Sequence, residues 1–174
     1  FDGGRAVGVR LKRDDRAEEK VRAPLVVGAD GRRSTVAAAV GAEEYLGYDA
    51  PRAMYWAYWD APDAWWTDEY PFDLYLGHVG RSFRVIFQTD HGCLLIGSLP
   101  PIEEARSWRQ DAATALRDDL ARDSVTGPLL ASADPRERVR GTIKERYFFR
   151  RAAGPGWALV GDAGHHKEFC IGDG

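Results

Sequence analysis

Two short apolar runs, each breaking into a glycine–aspartate turn, constrain this chain more than any other feature. Residues 25–34 read Leu-Val-Val-Gly-Ala-Asp-Gly-Arg-Arg-Ser, and residues 157–164 read Trp-Ala-Leu-Val-Gly-Asp-Ala-Gly. The second run is too short for a helix and is bounded by Pro155-Gly156 and Gly161, as a buried strand is. Asp162 then falls just past the carboxyl end of that strand, where open α/β sheets bind their ligands. Its carboxylate can accept hydrogen bonds from ribose-type hydroxyls. Gly164, Gly172 and Gly174 leave backbone N–H groups free to face a phosphate or a carbonyl oxygen. In the first unit Ser34 stands where an N-cap would, ahead of the alanine-rich residues 35–40. Two strand–turn units of this kind predict a nucleotide-sized ligand touching both turns.

A chain of 174 residues is long enough for one ordinary core, and 44% apolar with 29% charged residues is the composition of a soluble globular protein. The net charge of −3 argues against a nucleic-acid partner, which would want a basic face. No apolar run approaches the roughly 20 residues that span a membrane. Cys93 and Cys170 lie far apart and read as reduced thiols, which fits a cytoplasmic protein.

In chain order, residues 5–13 alternate with Val7, Val9 and Leu11 on one face and predict a strand. A charged loop follows at 14–19. Residues 20–28 predict a second strand running into the Asp30-Gly31 turn, and 34–40 a short helix stopped by Gly41. From about residue 42 to 153 the character changes. Residues 52–59, 72–78, 83–88 and 93–99 predict strands with short connections at Gly80 and Asp90-His91-Gly92, hence an antiparallel sheet. Pro100-Pro101 ends it. Apolar residues at helical spacing predict one helix over 102–121, followed by irregular chain at 128–136. Residues 141–149 predict a strand returning to the sheet.

The two motifs resemble the downstream FAD fingerprints of group A flavoprotein monooxygenases, the para-hydroxybenzoate hydroxylase-like enzymes. Gly28-Ala29-Asp30-Gly31 with Ser34 resembles the family's DG motif. Gly161-Asp162-Ala163-Gly164-His165 resembles its GD motif, with Gly172 and Gly174 at the later glycine positions. Phe169 stands where the family usually has proline, and the first fingerprint, Gly-x-Gly-x-x-Gly, is absent. The resemblance therefore reads the chain as an internal piece of a larger flavoprotein, completed by a missing N-terminal segment of the same polypeptide or by a complementing partner. It implies an α/β fold. Residues 1–41 and 154–174 would form part of a Rossmann-like FAD-binding domain, and residues 42–153 an antiparallel-sheet substrate domain.

The same resemblance implies FAD as cofactor, NAD(P)H as reductant, and oxygen transfer to an apolar, aromatic small molecule. Halogenases and geranylgeranyl reductase-like enzymes share these fingerprints, so both stay open, as does a fragment that binds no flavin alone. Gly161, Asp162, Ala163, Gly172 and Gly174 would line the cofactor. Asp30 and Gly31 would order the turn near the flavin and the pyridine nucleotide, with Arg32 or Arg33 beside them. No catalytic side chain stands out, as expected where a cofactor carries the chemistry.

Within residues 55–59, Tyr-Trp-Ala-Tyr-Trp, alternation puts Trp56 and Tyr58 on one face and Tyr55 and Trp59 on the other. One face should be core. The other, with Trp56 and Tyr58, is the candidate wall of a pocket for a flat apolar substrate. His165, His166 and Glu168 have the wrong spacing for a metal motif, and no metal is expected. Cys170 reads as a small buried residue rather than a flavin tether.

Overall fold

The computed structural model describes residues 1–12, 17–66 and 73–168. In chain order these form β1 (Gly8–Lys12), β2 (Glu18–Arg22), β3 (Val26–Gly28), α1 (Thr35–Ala39), β4 (Glu44–Asp49) and β5 (Met54–Asp60). Then follow β6 (Leu74–Val79), β7 (Ser82–Gln88), β8 (Cys93–Leu99), α2 (Ile102–Trp108), α3 (Ala112–Ala121) and α4 (Gly127–Leu130). The chain ends in β9 (Arg140–Thr142), β10 (Arg146–Arg150), β11 (Ala153–Gly154), β12 (Trp157–Leu159) and β13 (His165–His166). It divides into two compact units, Phe1–Tyr48 with residues 146–168, and Asp49–Glu145. This is the mixed α/β and antiparallel architecture that the sequence implies.

The Asp49–Glu145 unit is a five-stranded sheet in the order β6-β7-β8-β5-β9, antiparallel throughout. Alternation sorts its two faces. Tyr55, Ala57, Trp59, Ile86, Leu94 and Ile96 pack in one cluster with Ala105, Leu116, Leu120 and Leu130 of the helices. The Tyr55 hydroxyl donates to the Ala105 carbonyl at 3.0 Å, which gives that buried polar tip its partner. The opposite face carries Trp56, Tyr58, Leu95, Val85, Phe87, Leu74 and Leu76, none of which joins that cluster.

The single helix expected over 102–121 is two helices. Asp111 is the reason: its Oδ1 accepts from the Thr114 N–H at 3.1 Å and its Oδ2 from the Thr114 hydroxyl at 2.7 Å. An aspartate in that role starts a new helix rather than continuing an old one. A further short helix, α4, occupies part of the stretch expected to be irregular.

The other unit holds three small sheets: the β1-β2 hairpin, β11-β12-β3, and β13-β10-β4. The strand expected over 20–28 is split between two of them. Ala23 still donates to Val7, but Pro24 has no N–H to continue a ladder, and Val26 turns instead to the Gly156 carbonyl. The strand expected over 141–149 is split too. Thr142 closes β9 by donating to Glu145 Oε1 at 2.7 Å, and β10 belongs to the other unit. β4, which the sequence did not disclose, pairs with β10. The two compact units divide at 48/49 and 145/146.

Candidate functional site

β3 and β12 run parallel and in register, Val26 opposite Trp157, Val27 opposite Ala158 and Gly28 opposite Leu159. The Val160 N–H then donates to the Gly28 carbonyl at 2.9 Å. The two motifs therefore begin side by side at the carboxyl ends of adjacent parallel strands, the position at which α/β sheets bind ligands. Beneath them Ala6, Ala37, Trp157, Leu159 and Ala163 form a small core that ties α1 to the strand pair.

The first turn is built around Asp30. Its Oδ1 accepts from the Ser34 hydroxyl at 2.5 Å, and its Oδ2 from the Thr35 and Val36 N–H groups at 2.7 and 3.1 Å. Ser34 in turn accepts from the Ala37 N–H at 2.8 Å. Together they satisfy the free donors of the first turn of α1. The Ser34 hydroxyl foremost holds the Asp30 carboxyl below its usual range; burial, the next effect in size, works against it, and the Val36, Asp30 and Thr35 N–H groups add to the lowering. Gly31 follows at φ +74°, with nothing within 4 Å of where a Cβ would sit.

A depressed carboxyl stabilises the folded state fully above its ordinary pKa and loses that stabilisation as the pH falls through the depressed value. Asp30→Ala is expected to cost about 1 kcal/mol, the usual worth of a helix cap. Amide exchange at residues 35–39 checks it: protection should fall at neutral pH in the variant and approach the parent's as the pH drops below 3.8.

The second turn is a single 3₁₀ turn, Gly161–Ala163, with Gly161 at φ +56°. Space is again open around the missing Cβ of Gly161. Ala163 is fully buried, so only its backbone can serve a ligand, and its carbonyl already accepts from Arg150 Nη1 at 3.1 Å. Arg150 N–H donates to the Gly164 carbonyl at 2.8 Å, which staples the turn to β10. Asp162 keeps 43% of its side chain exposed while Oδ2 lies 3.2 Å from His166 Nδ1. That imidazole packs against Tyr147 and Phe148 at 5.7 and 6.0 Å. His165 goes elsewhere, stacked on Phe149.

The lining suits FAD: Asp162 offers a half-exposed carboxylate, and Gly31 and Gly161 leave open space at the two turns through which a ligand can approach the backbone. Gly172, Gly174, Phe169 and Cys170 lie outside the described residues. Arg32 and Arg33 are exposed at the first turn. No group of three or more metal-ligating side chains occurs among the described residues. No helix among them is long and apolar enough to cross a membrane.

In the other unit, Trp56 is half-buried and Tyr58 is 41% exposed, both on the sheet face away from the helices, while Tyr55 and Trp59 are core. Sequence reasoning missed the Asp162–His166 pair, although their spacing of four residues was a usable signal. It also missed Arg84, which is wholly buried between Asp119 and Asp123 and which alternation alone would place on an unremarkable strand.

Residues 2–174 match the family model described as FAD binding domain. No curated protein matches the chain. Among solved structures it resembles the myxobacterial chondrochloren halogenase CndH at TM-score 0.79 and 20% identity, over 99% of this chain and 40% of that one. It resembles a triple mutant of the flavin-dependent brominase Bmp2 at TM-score 0.76 and 17% identity, over 98% and 44%. It resembles aklavinone-11 hydroxylase, solved with FAD and aklavinone, at TM-score 0.64 and 20% identity, over 90% and 28%. The chain thus spans less than half of each of these proteins, and at such identities the likeness is one of fold. With both motifs assembled on one parallel strand pair and the family model matched almost end to end, the chain belongs to the FAD-binding-domain family of para-hydroxybenzoate hydroxylase-like group A flavoproteins.

Proposed function

We propose that this chain is the FAD-gripping and substrate-walling part of a cytoplasmic monooxygenase that hydroxylates an apolar, aromatic small molecule. The observation that supports this most is the register of β3 with β12, which starts both motif turns at one sheet edge. Asp162 would accept hydrogen bonds from the ribityl hydroxyls. The Gly161 and Ala163 backbone would face the flavin side, and the Asp30-Gly31 turn would hold the approach of the nicotinamide nucleotide. Bound FAD supplies two-electron chemistry from NAD(P)H to dioxygen, so that one oxygen atom enters the substrate and the other leaves as water. Trp56 and Tyr58 supply a flat apolar wall. The Gly-x-Gly-x-x-Gly fingerprint would come from another segment of the same polypeptide or from a complementing partner.

Halogenation is the second reading, favoured by the higher fold similarity to the two halogenases. Both readings share one test of the flavin site. In the full-length protein, Asp162→Ala should weaken FAD binding about tenfold to a hundredfold, the worth of charge-assisted hydrogen bonds of about 1.5–3 kcal/mol. Flavin fluorescence titration measures this, and unchanged affinity would remove Asp162 from the site. Labelled oxygen in the product of NAD(P)H-dependent turnover then separates hydroxylation from chloride incorporation.

A further inference from the structure

A carboxylate that accepts hydrogen bonds from a ligand does so best when one rotamer is already held, because ordering a mobile side chain on binding costs affinity. Asp162 lies on the 3₁₀ turn Gly161–Ala163 with 43% of its side chain exposed. Among the described residues one side chain reaches its carboxylate. His166, four residues on, brings Nδ1 to 3.2 Å from Oδ2. A carboxylate only accepts, so Nδ1 carries the hydrogen that lies between them.

The imidazole is itself held. Its side chain is 12% exposed. β13 pairs with β10 so that His166 is opposite Phe148, and the ring packs against Phe148 and Tyr147. Phe148 also carries the Arg150 guanidinium, 4.0 Å from its ring centroid. Arg150 in turn donates to the Ala163 and Gly164 carbonyls. The turn that bears Asp162 and the ring that meets it are thus fixed to one strand, β10. His165 shows the other fate open to a histidine here: it stacks on Phe149 with 11° between the ring planes.

We propose that His166 is a positioning residue for the cofactor. Its imidazole holds the Asp162 carboxylate by Oδ2 and leaves Oδ1, in one orientation, to accept from a ribityl hydroxyl of FAD. His166 touches Asp162 and acts through it. This rests on Asp162 lining the FAD site.

The test is a double-mutant cycle on FAD affinity in the full-length protein, read by flavin fluorescence titration. Leucine and asparagine both branch at Cγ, but only asparagine can place an N–H where Nδ1 stood. His166→Leu should weaken FAD binding about threefold to tenfold, the scale of immobilising one side chain. His166→Asn should restore most of that affinity. In the Asp162→Ala background His166→Leu should change nothing further, since two groups that act as one are not additive. If His166→Leu does not fold, His166→Gln takes its place with the same expected loss, because its amide reaches the position of Nε2 rather than Nδ1.

A histidine that only fills space predicts otherwise: leucine and asparagine equally weak, and a loss that adds in full to that of Asp162→Ala. Either result, or an affinity in His166→Leu equal to the parent's while Asp162→Ala weakens binding, would overturn the proposal and leave Asp162 in the site. An unchanged affinity in Asp162→Ala itself would overturn the placement of Asp162 and this proposal with it.

Discussion

Arg84→Ala should lower the stability of the Asp49–Glu145 unit by about 3–5 kcal/mol, the cost of breaking a buried ion pair by removing one partner. Arg84 has no exposed surface. Its Nη2 donates to the backbone carbonyl of Asp119 and lies 3.0 Å from Asp119 Oδ2, and its Nη1 is 3.8 Å from Asp123 Oδ2. Each aspartate is held by a further hydroxyl: Ser98 donates to Asp119 at 2.6 Å, and Tyr75 to Asp123 at 3.0 Å. Burial alone would raise the Asp123 carboxyl. The Thr126 and Val125 N–H groups, the Tyr75 hydroxyl and Arg84 outweigh it and leave that carboxyl lowered.

Without the guanidinium, two buried carboxylates would lose the cation they share and keep only their other partners. Urea denaturation should show a lower midpoint with an unchanged slope. The deficit should shrink as the pH is lowered, because the parent too loses the contribution of the lowered Asp123 carboxyl as that group protonates. Arg84→Met with Asp119→Asn should recover part of the loss, because it removes one of the two buried charges that Arg84→Ala leaves without the guanidinium. A midpoint within the experimental scatter of the parent would show that the network adds nothing.

The second large effect is expected at Gly28. A Cβ there would lie 2.8 Å from Leu159 Cδ2 and 2.9 Å from Val36 Cβ. Leucine can swing its end away, but Val36 is held by the helix that Asp30 and Ser34 cap. Gly28→Val should therefore cost about 3 kcal/mol, the upper end of ordinary overpacking, and should spread β3, β12 and α1 apart. Both turns ride on those elements, so FAD affinity of the full-length protein should fall with stability, although Gly28 makes no proposed ligand contact. Leu159→Ala placed in the Gly28→Ala background should restore part of the stability, because it clears the nearest clash. If Gly28→Val melts with the parent and binds flavin equally, the close packing described above is not what holds the turns together.

Much of the fold could be read from the chain because its regular parts obey simple periods. The strands β5 to β8 alternate or sit between clear turn residues, and their limits fall close to expectation. Elements were misjudged where one residue overrode the pattern: Pro24 without its N–H, Asp111 as a cap, Thr142 bonded to Glu145. β4 was invisible for a different reason. All six of its residues are exposed, so it carries no inside–outside signal. In the candidate site, the positions of Gly31, Gly161 and Asp162 followed from the motifs. The Asp162–His166 contact and the Arg84 network did not, because they depend on how loops and a helix fold back onto strands.

The place where the chain leaves and re-enters its first unit has a bearing on the order of assembly. The Ala50 N–H donates to the Glu145 carbonyl at 2.9 Å, so the two ends of the intervening unit are held together. β3 is made early and its partner β12 late, and a contact so distant in sequence is slow and entropically costly to form. Once the unit between them has folded, its joined ends act as a short clip, and the effective loop that β12 must close collapses to a few residues. On the ribosome this predicts a sequence of events in which the sheet of β5 to β9 consolidates first. The pairing of β12 with β3 would follow it.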